Sequence, residues 1–370
     1  MIVLSEEDVM LKDMANGWTA DRAPVPALRA LRGQLADTGF DPALYAEMAE
    51  MGWPAILIPE EFGGVGMNRV SLGLIAEELG RNLVGSPLVW SAAGAVSALT
   101  LGTNQAAKEA LLPQIANGSL AAALAIDDEN HHRPHTISTT AQKYESGWVL
   151  SGAKRAVPDA TGVGLLVIAA QLEDTSPALF SCPVDTAGVT LTSLDRIDSR
   201  GAADIVLDNV SLGPDALLGQ GQDYLDTVLD SVRAILAAEM LGGTAQAFET
   251  TVEYMKTRIQ FDQPIGSFQA LQHRAADMLG EIVLARAAVY GALQAIDAGD
   301  ADASRQVSLA KAIAGDCFRT MAREMIQIHG GIGMTDEHDA GLYLKRAHVL
   351  DHTLGNAAFH RERYARMLDI

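Results

Sequence analysis

Two short segments stand out for the chemistry that their residue types and spacing allow. The first runs Arg258-Ile259-Gln260-Phe261-Asp262-Gln263-Pro264-Ile265-Gly266-Ser267-Phe268-Gln269, an arginine just ahead of a Pro/Gly-containing break between two helical stretches. A guanidinium is a planar fork that suits pyrophosphate oxygens. The break also exposes the N-terminus of the next helix, where an anion is favoured. An inter-helix turn with a surface arginine would read the same way, since short motifs are weakly specific. The second segment is Gln327-Ile328-His329-Gly330-Gly331-Ile332-Gly333-Met334-Thr335, directly after a long amphipathic stretch. Glycines permit close backbone approach and positive φ. A helix C-cap accounts for one of them but less well for Gly330, Gly331 and Gly333 together. No GxGxxG follows a strand, so a Rossmann site is not indicated.

Two histidine groupings invite a metal reading: His131-His132-Arg133-Pro134-His135, and His348 with His352 at i and i+4. No carboxylate or cysteine completes either grouping, Asp351 being the one close candidate, and no CxxC or paired Cys/His spacing is present, so no metal site is expected. The histidines read as a solvated loop and helix face, with the basic 131–135 cluster a loose candidate for an anion.

The elements that must position these segments fall into three blocks. Residues 1–120 read as helices: Ser5 before Glu6 and Glu7 is a helix start. Leu44, Met48 and Met51 share one face of a helix ending near Gly52, and Leu72, Ile75 and Leu79 mark another that stops at Gly80. Between them, Pro59-Glu60-Glu61-Phe62-Gly63-Gly64-Val65-Gly66 is dense in turn residues. Residues 121–220 read as a small antiparallel β domain, from short apolar runs at 147–150, 165–168, 178–180 and 189–191. Residues 221–370 return to helical periodicity. Leu309, Ile313, Cys317, Met321 and Met325 recur every four residues with Ile328 three further on, and similar spacing occurs in 224–255 and 270–297. Long helices of this kind pack as a four-helix-type bundle. The fold class is therefore α+β multidomain.

With 370 residues, 48% hydrophobic and 20% charged, the chain can bury ample apolar surface. Its net charge of −20 repels nucleic acid and anionic membranes, so neither is an expected partner. Two distant cysteines, Cys182 and Cys317, give no disulfide framework and fit a reducing compartment. The start MIVLSEEDVM does not read as a signal peptide, and no uninterrupted apolar run reaches membrane length, which makes the cytoplasm the expected location.

In their order and spacing of about 70 residues, the two segments resemble the acyl-CoA dehydrogenase family. Gly52-Trp53-Pro54 with the 59–66 loop, then Glu77-Glu78-Leu79-Gly80-Arg81, looks like that family's N-terminal helical domain, and Asp230, Arg233 and Ala237-Ala238 like its first C-terminal helix. The resemblance spans nearly the whole chain. It implies FAD held between domains and across a subunit interface, with Arg258 on the pyrophosphate and Phe261 and Gln269 against the ADP portion. It also implies that Gln327 and the backbone of Gly330 and Gly331 approach the ADP of FAD bound mainly by a neighbouring subunit.

The family's base is a carboxylate in a Glu-Gly-Thr segment; counting on from Gly330-Gly331 brings that segment to Leu354-Gly355-Asn356. Some members place the base on the first C-terminal helix, where this chain has Val232. Neither aliphatic side chain accepts a proton. The flavin-ring segments are altered as well. A Thr-Glu-Pro loop with a later Gly-Ser-Asp corresponds to Ile126–Arg133, and a Trp/Thr segment to Gly152–Pro158, with Ala156 and Pro158 unable to stack or donate a hydroxyl. The ending Tyr343–Arg346, Leu354–Asn356 and His360–Arg363 resembles the small subunits of α2β2 members that degrade steroid side chains and dicarboxylic or cyclic CoA thioesters.

The resemblance thus implies an oxidoreductase that desaturates an acyl-CoA thioester. Here it would be a subunit that completes the ADP half of an FAD site for a catalytic paralogue, with an electron-transfer flavoprotein a candidate acceptor. One alternative is a complete homo-oligomeric dehydrogenase with Asp351 as a displaced base, sharing a helical face with Leu354, although an exposed or salt-bridged carboxylate beside Lys345 or Arg346 would read the same way. Another is a flavin-free structural protein on the same fold.

Overall fold

The computed structural model describes residues 4–32 and 38–370, so the first three residues of the N-terminal reading lie outside it. Helices α1 (Glu6–Arg22), α2 (Val25–Leu31), α3 (Pro42–Glu50) and α4 (Arg69–Arg81) come first. A π-helical turn, Trp90–Ala95, runs into α5 (Val96–Leu101), and α6 (Gln105–Ala116) follows. Strands β1 (Ala122–Ala125), β2 (Thr140–Tyr144), β3 (Gly147–Pro158) and β4 (Leu165–Gln171) are joined by β5 (Pro177–Pro183), β6 (Val189–Ser193), β7 (Ala202–Leu212) and β8 (Leu217–Gln220). The C-terminal part holds α7 (Gln222–Thr257), a small hairpin of β9 (Ile259–Gln260) and β10 (Gln263–Pro264), then α8 (Gln269–Asp297), α9 (Ala303–His329), α10 (Ala340–His352) and α11 (Ala357–Arg366).

The contacts divide the chain into two compact units. One comprises residues 1–26, 69–84 and 233–370; the other comprises 27–68 and 85–232. In the first, α1 opens on the capping box expected at Ser5, whose hydroxyl accepts from the Asp8 amide. Helix α8 lies along α9 and also meets α4, where Leu293 faces Gly73; Met278, Ile282, Val289 and Leu293 are all buried. Buried Glu77 on α4 accepts from Lys12 of α1 (3.2 Å) and from Arg286 (2.8 Å) and Tyr290 (2.6 Å) of α8, which ties three helices together. Among the described residues α8 is the one helix long and apolar enough by composition to cross a membrane.

The apolar stripe on α9 needs a correction. Leu309 is 42% exposed and Ile313 only half-buried; the buried face runs through Val307, Ala310, Ala314, Phe318, Met321 and Met325. A strict four-residue repeat drifts about 40° per step against a 3.6-residue turn, so its first members leave the core.

In the second unit the strands form one sheet in the order β6-β7-β3-β2-β4-β5-β8, with β1 added beside β4. Most pairs are antiparallel, but β1 pairs with β4 in parallel (Ala122 opposite Leu165), and β2 meets β4 in parallel at Thr140 and Gln171. The sheet is therefore mixed rather than purely antiparallel. β4 is buried through six of its seven residues, which is why it reads as an unbroken apolar run rather than an alternating one.

Candidate functional site

The first segment starts where α7 stops. The Arg258 amide still donates to the Tyr254 carbonyl (2.8 Å), and the Arg258 carbonyl accepts from the Ile265 amide (2.8 Å). Between these bonds the chain makes the β9–β10 hairpin, whose two turn residues, Phe261 (φ 55°) and Asp262 (φ 62°), are both left-handed. Such turns ordinarily take Asn or Gly. A phenylalanine there stands out from the surface, 86% exposed, its ring edge-on to Phe268 at 6.0 Å. Phe268 is also the N-cap of α8 and offers no side-chain cap, and the helix has no acidic residue in its first turn. The positive end of α8 is thus open to an anion. Arg258 and Gln269 are exposed beside it, and Arg258 forms no ion pair among the described residues.

The second segment ends α9. Gly330 adopts φ 64°, ψ −136°, a region essentially restricted to glycine. Gly331 has neither a positive φ nor any atom within 4 Å of where a Cβ would stand, so nothing in this chain demands a glycine there. What its absent side chain leaves is bare backbone facing open space. Gln327 is exposed one turn earlier, while Gly333 is held against the Ile326 carbonyl.

The two segments lie at the same end of the helical layer. The Tyr254 ring stacks on His329 (4.2 Å, 29°), and its hydroxyl reaches the His329 carbonyl at 3.4 Å. On the α8–α9 side, Arg274 Nε donates to Glu324 (2.8 Å). Arg258, Phe261, Gln269, Gln327, Gly330 and Gly331 are thereby collected from three helix ends. Tyr254 and His329 stand outside the residues expected to touch a ligand; their signal in the sequence is an aromatic ring four residues before the arginine and another next to the first glycine.

The region expected to hold a base is built differently from the helical face anticipated for Asp351 and Leu354. Helix α10 stops at His352, and Leu354 is left-handed (φ 54°), so the two residues share no helical face. Leu354 is 6% exposed, and its carbonyl accepts from Arg233 Nε (3.3 Å) and His360 Nε2 (3.1 Å). Burial, with the charges of Lys311, Arg233 and Arg363, keeps His360 neutral far below the usual imidazole range. Lys311 is fully buried and donates to the carbonyls of Leu350 (2.9 Å), Asp351 (3.2 Å) and Gly355 (3.0 Å). Burial pushes its ammonium down to about 7, partly opposed by Asp351. Asp351 pairs with Arg319, not with Lys345 or Arg346; Arg346 is held by Glu239 (3.1 Å). In the other unit Val232 is wholly buried, its Cγ2 3.6 Å from where a Cβ on Gly94 would stand.

The 126–139 loop is closed around Asp128. That carboxylate accepts from Lys154 Nζ (2.5 Å), Thr139 Oγ1 (2.7 Å) and the Thr139 amide (3.1 Å), and Lys154 also reaches the Ile126 carbonyl (2.9 Å). Burial pushes the Asp128 carboxyl up, but Lys154 and these hydrogen bonds outweigh it and hold it below the usual range. His132 turns onto Asp127 (2.9 Å), and His352 Nδ1 donates to the His348 carbonyl (2.9 Å). Among the described residues no three His, Cys, Asp or Glu side chains are gathered as a metal site would need. Ala156 is left-handed (φ 46°), with its amide on Asp204 (2.9 Å).

Residues 5–119 match the family described as acyl-CoA dehydrogenase, N-terminal domain, and residues 219–368 the acyl-CoA dehydrogenase, C-terminal domain. The acyl-CoA dehydrogenase IpdE2 of Mycobacterium tuberculosis is 33% identical over 345 residues, covering 93% of this chain and 91% of its own length. IpdE2 of Mycolicibacterium smegmatis is 29% identical over 355 residues, covering 95% and 96%. Among solved structures, a variant of the Tcur3481-Tcur3483 steroid ACAD superposes with a TM-score of 0.90 at 29% identity, over 98% of each chain.

Proposed function

The chain belongs to the acyl-CoA dehydrogenase family of FAD-dependent oxidoreductases, and from that premise we propose that it is a subunit which completes the ADP half of an FAD site for a catalytic paralogue and brings no base of its own. The observation that carries this reading is Leu354. An aliphatic side chain stands where a proton acceptor is needed, on a backbone fixed by Arg233 and His360. The nearest carboxylate, Asp351, is committed to Arg319 and the Ala357 amide, which speaks against a displaced base.

The residues present fit the ADP portion of the cofactor. Arg258 has a free guanidinium for the pyrophosphate, and the uncapped start of α8 adds backbone amides. Phe261 and Gln269 offer an exposed ring and amide, and Gln327 with the bare backbone of Gly330 and Gly331 forms the opposite edge. Bound FAD supplies the hydride acceptor for α,β-desaturation of an acyl-CoA thioester. This chain's share is to bind and orient the dinucleotide, while proton removal falls to the partner. We assign residues 1–120, 121–220 and 221–370 to the family's three domains. An exposed apolar stripe on α8, Leu279, Val283 and Leu284, supports assembly with another subunit. The name of the Tcur3481-Tcur3483 protein points to a two-component steroid enzyme, and a steroid-derived or cyclic CoA thioester is the substrate class we favour.

The test is co-expression with a paralogue that carries the carboxylate. The chain alone should be colourless or faintly yellow; the complex should hold FAD in stoichiometric amount and bleach when acyl-CoA is added without oxygen. A chain that is yellow alone and bleached by acyl-CoA overturns the proposal in favour of a complete dehydrogenase. FAD in neither preparation favours a structural protein.

A further inference from the structure

His329 stands between the two segments just described, one residue before Gly330 and stacked on a ring four residues before Arg258. A third ring joins it: His338 lies 4.2 Å from His329, centroid to centroid, tilted by 45°. Backbone hydrogen bonds fix the orientation of both imidazoles. His329 Nδ1 donates to the Met325 carbonyl (2.7 Å), so its proton sits on Nδ1. His338 Nδ1 accepts from the Ala340 amide (3.1 Å), so its proton sits on Nε2. The His329 bond is made by the neutral and the charged ring alike, so burial is what keeps that ring neutral, whereas a proton on His338 Nδ1 would displace the Ala340 amide. A second proton on either places a cation against the other ring, and protons on both place two cations at stacking distance.

The surroundings offer His329 little compensation. It is buried, with the Tyr254 phenol facing it from α7. Arg274 of α8 and Glu324 of α9 are bound to one another. Glu337 and Asp339 share with His338 a cleft of about 230 Å³ that also takes in Tyr343 of α10 and Thr250 and Gln246 of α7. A charge on His338 would disfavour one on His329. Burial, reinforced by His338 and only partly offset by the Met325 carbonyl, holds His329 below the ordinary imidazole value.

We propose that Tyr254, His329 and His338 form a neutral aromatic joint that keeps the Arg258 hairpin and the Gly330–Met334 turn in register, and that acidification opens it. His329 is then a positioning residue: it touches neither phosphate nor flavin but fixes the two backbone stretches that would. The sign follows from linkage. A histidine kept neutral in the folded chain gives its full contribution above the ordinary imidazole value, about 6.5, and loses it as pH falls below that value. That the joint serves a dinucleotide rests on the subunit reading above; that it exists rests on the ring geometry alone.

The experiment needs neither cofactor nor partner. Amide hydrogen exchange across Arg258–Ile265 and Gly330–Met334 is followed in the full chain from roughly pH 8 to pH 5.5, corrected for intrinsic rates, with histidine side-chain NMR alongside. In the wild type, protection of both stretches should fall together by up to about tenfold on acidification, while amides in the middle of α9 stay protected. His329→Phe keeps a ring to stack but cannot take a proton, and its protection should be flat with pH. His338→Phe removes the second cation, so the His329 resonances should titrate at a higher pH than in the wild type. Equal wild-type protection at both ends of the range overturns the joint, as does wild-type pH dependence persisting in His329→Phe. An FAD-free co-expressed complex would count against the subunit reading and leave this result untouched.

Discussion

Asp351 Oδ2 lies 2.8 Å from Arg319 Nη1 while Oδ1 accepts from the Ala357 amide at 3.2 Å, and no part of the side chain reaches solvent. Gly315 makes this possible, since a Cβ there would stand 2.6 Å from Oδ1. The carboxylate therefore joins α9 to the start of α11. Replacing it leaves a buried hydrogen-bonding set short of a partner, so Asp351→Asn should destabilise the chain by about 1–3 kcal/mol in urea unfolding. Turnover by an assembled complex should stay close to wild type. A stable variant whose complex is inactive would return Asp351 to candidacy as a base.

Arg258 has the opposite profile, exposed and without an ion pair among the described residues. Arg258→Ala should leave the melting temperature of the chain within a degree or so, in keeping with a surface substitution. The complex should lose a charge-assisted contact of about 1.5–3 kcal/mol, roughly a ten- to hundredfold weaker hold on FAD. Dialysis followed by flavin absorbance measures it. Arg258→Lys should recover only part, because an ammonium cannot present a planar fork.

Much of this arrangement could be read directly from residue types. The helix–strand–helix order follows from periodicity, and the two segments declared themselves through a guanidinium before a break and glycines beyond what a cap needs. The Ser5 cap was legible because capping is a local interaction between residues three apart. Other features depend on tertiary contacts. A leucine gives no sign that its backbone is left-handed; Leu354 is held so by Arg233, 121 residues away. Lys311 interrupts an otherwise apolar helix face, and its purpose is visible only once the carbonyls at the end of α10 surround it. The partner of Asp351 was missed for the same reason: Arg319 lies on another helix, whereas Lys345 and Arg346 are near only in sequence.

Lys311 makes a pH prediction with a definite sign. Its ammonium is pushed from 10.5 down to about 7 in the folded chain. Between those values the unfolded chain binds a proton that the folded chain does not, so stability should rise with pH. One such proton contributes a slope of up to about 1.4 kcal/mol per pH unit. Lys311→Met should remove that slope between about pH 7 and pH 10. It should also lower stability at neutral pH, because three buried carbonyls lose their donor. Urea titrations at several pH values separate the two effects, and a variant that keeps the wild-type slope would show that another group titrates.

Gly330 and Gly331 are neighbours with different reasons for being glycine, and substituting each in turn tells them apart. At Gly330 the backbone itself demands it: φ 64° with ψ −136° is strained for any side chain. Gly330→Ala should cost about 1–3 kcal/mol of stability whether or not cofactor is present. At Gly331 the backbone is ordinary and the space beyond it empty. Gly331→Ala should therefore be neutral or stabilising by up to about 1 kcal/mol in the isolated chain, through a smaller unfolded-state entropy. If the bare backbone there faces the ADP portion of a dinucleotide, the same methyl group should weaken FAD retention in the complex at least several-fold. Thermal unfolding of the chain and flavin content of the complex then move in opposite directions. A Gly331→Ala complex that keeps its full complement of FAD would place the dinucleotide elsewhere.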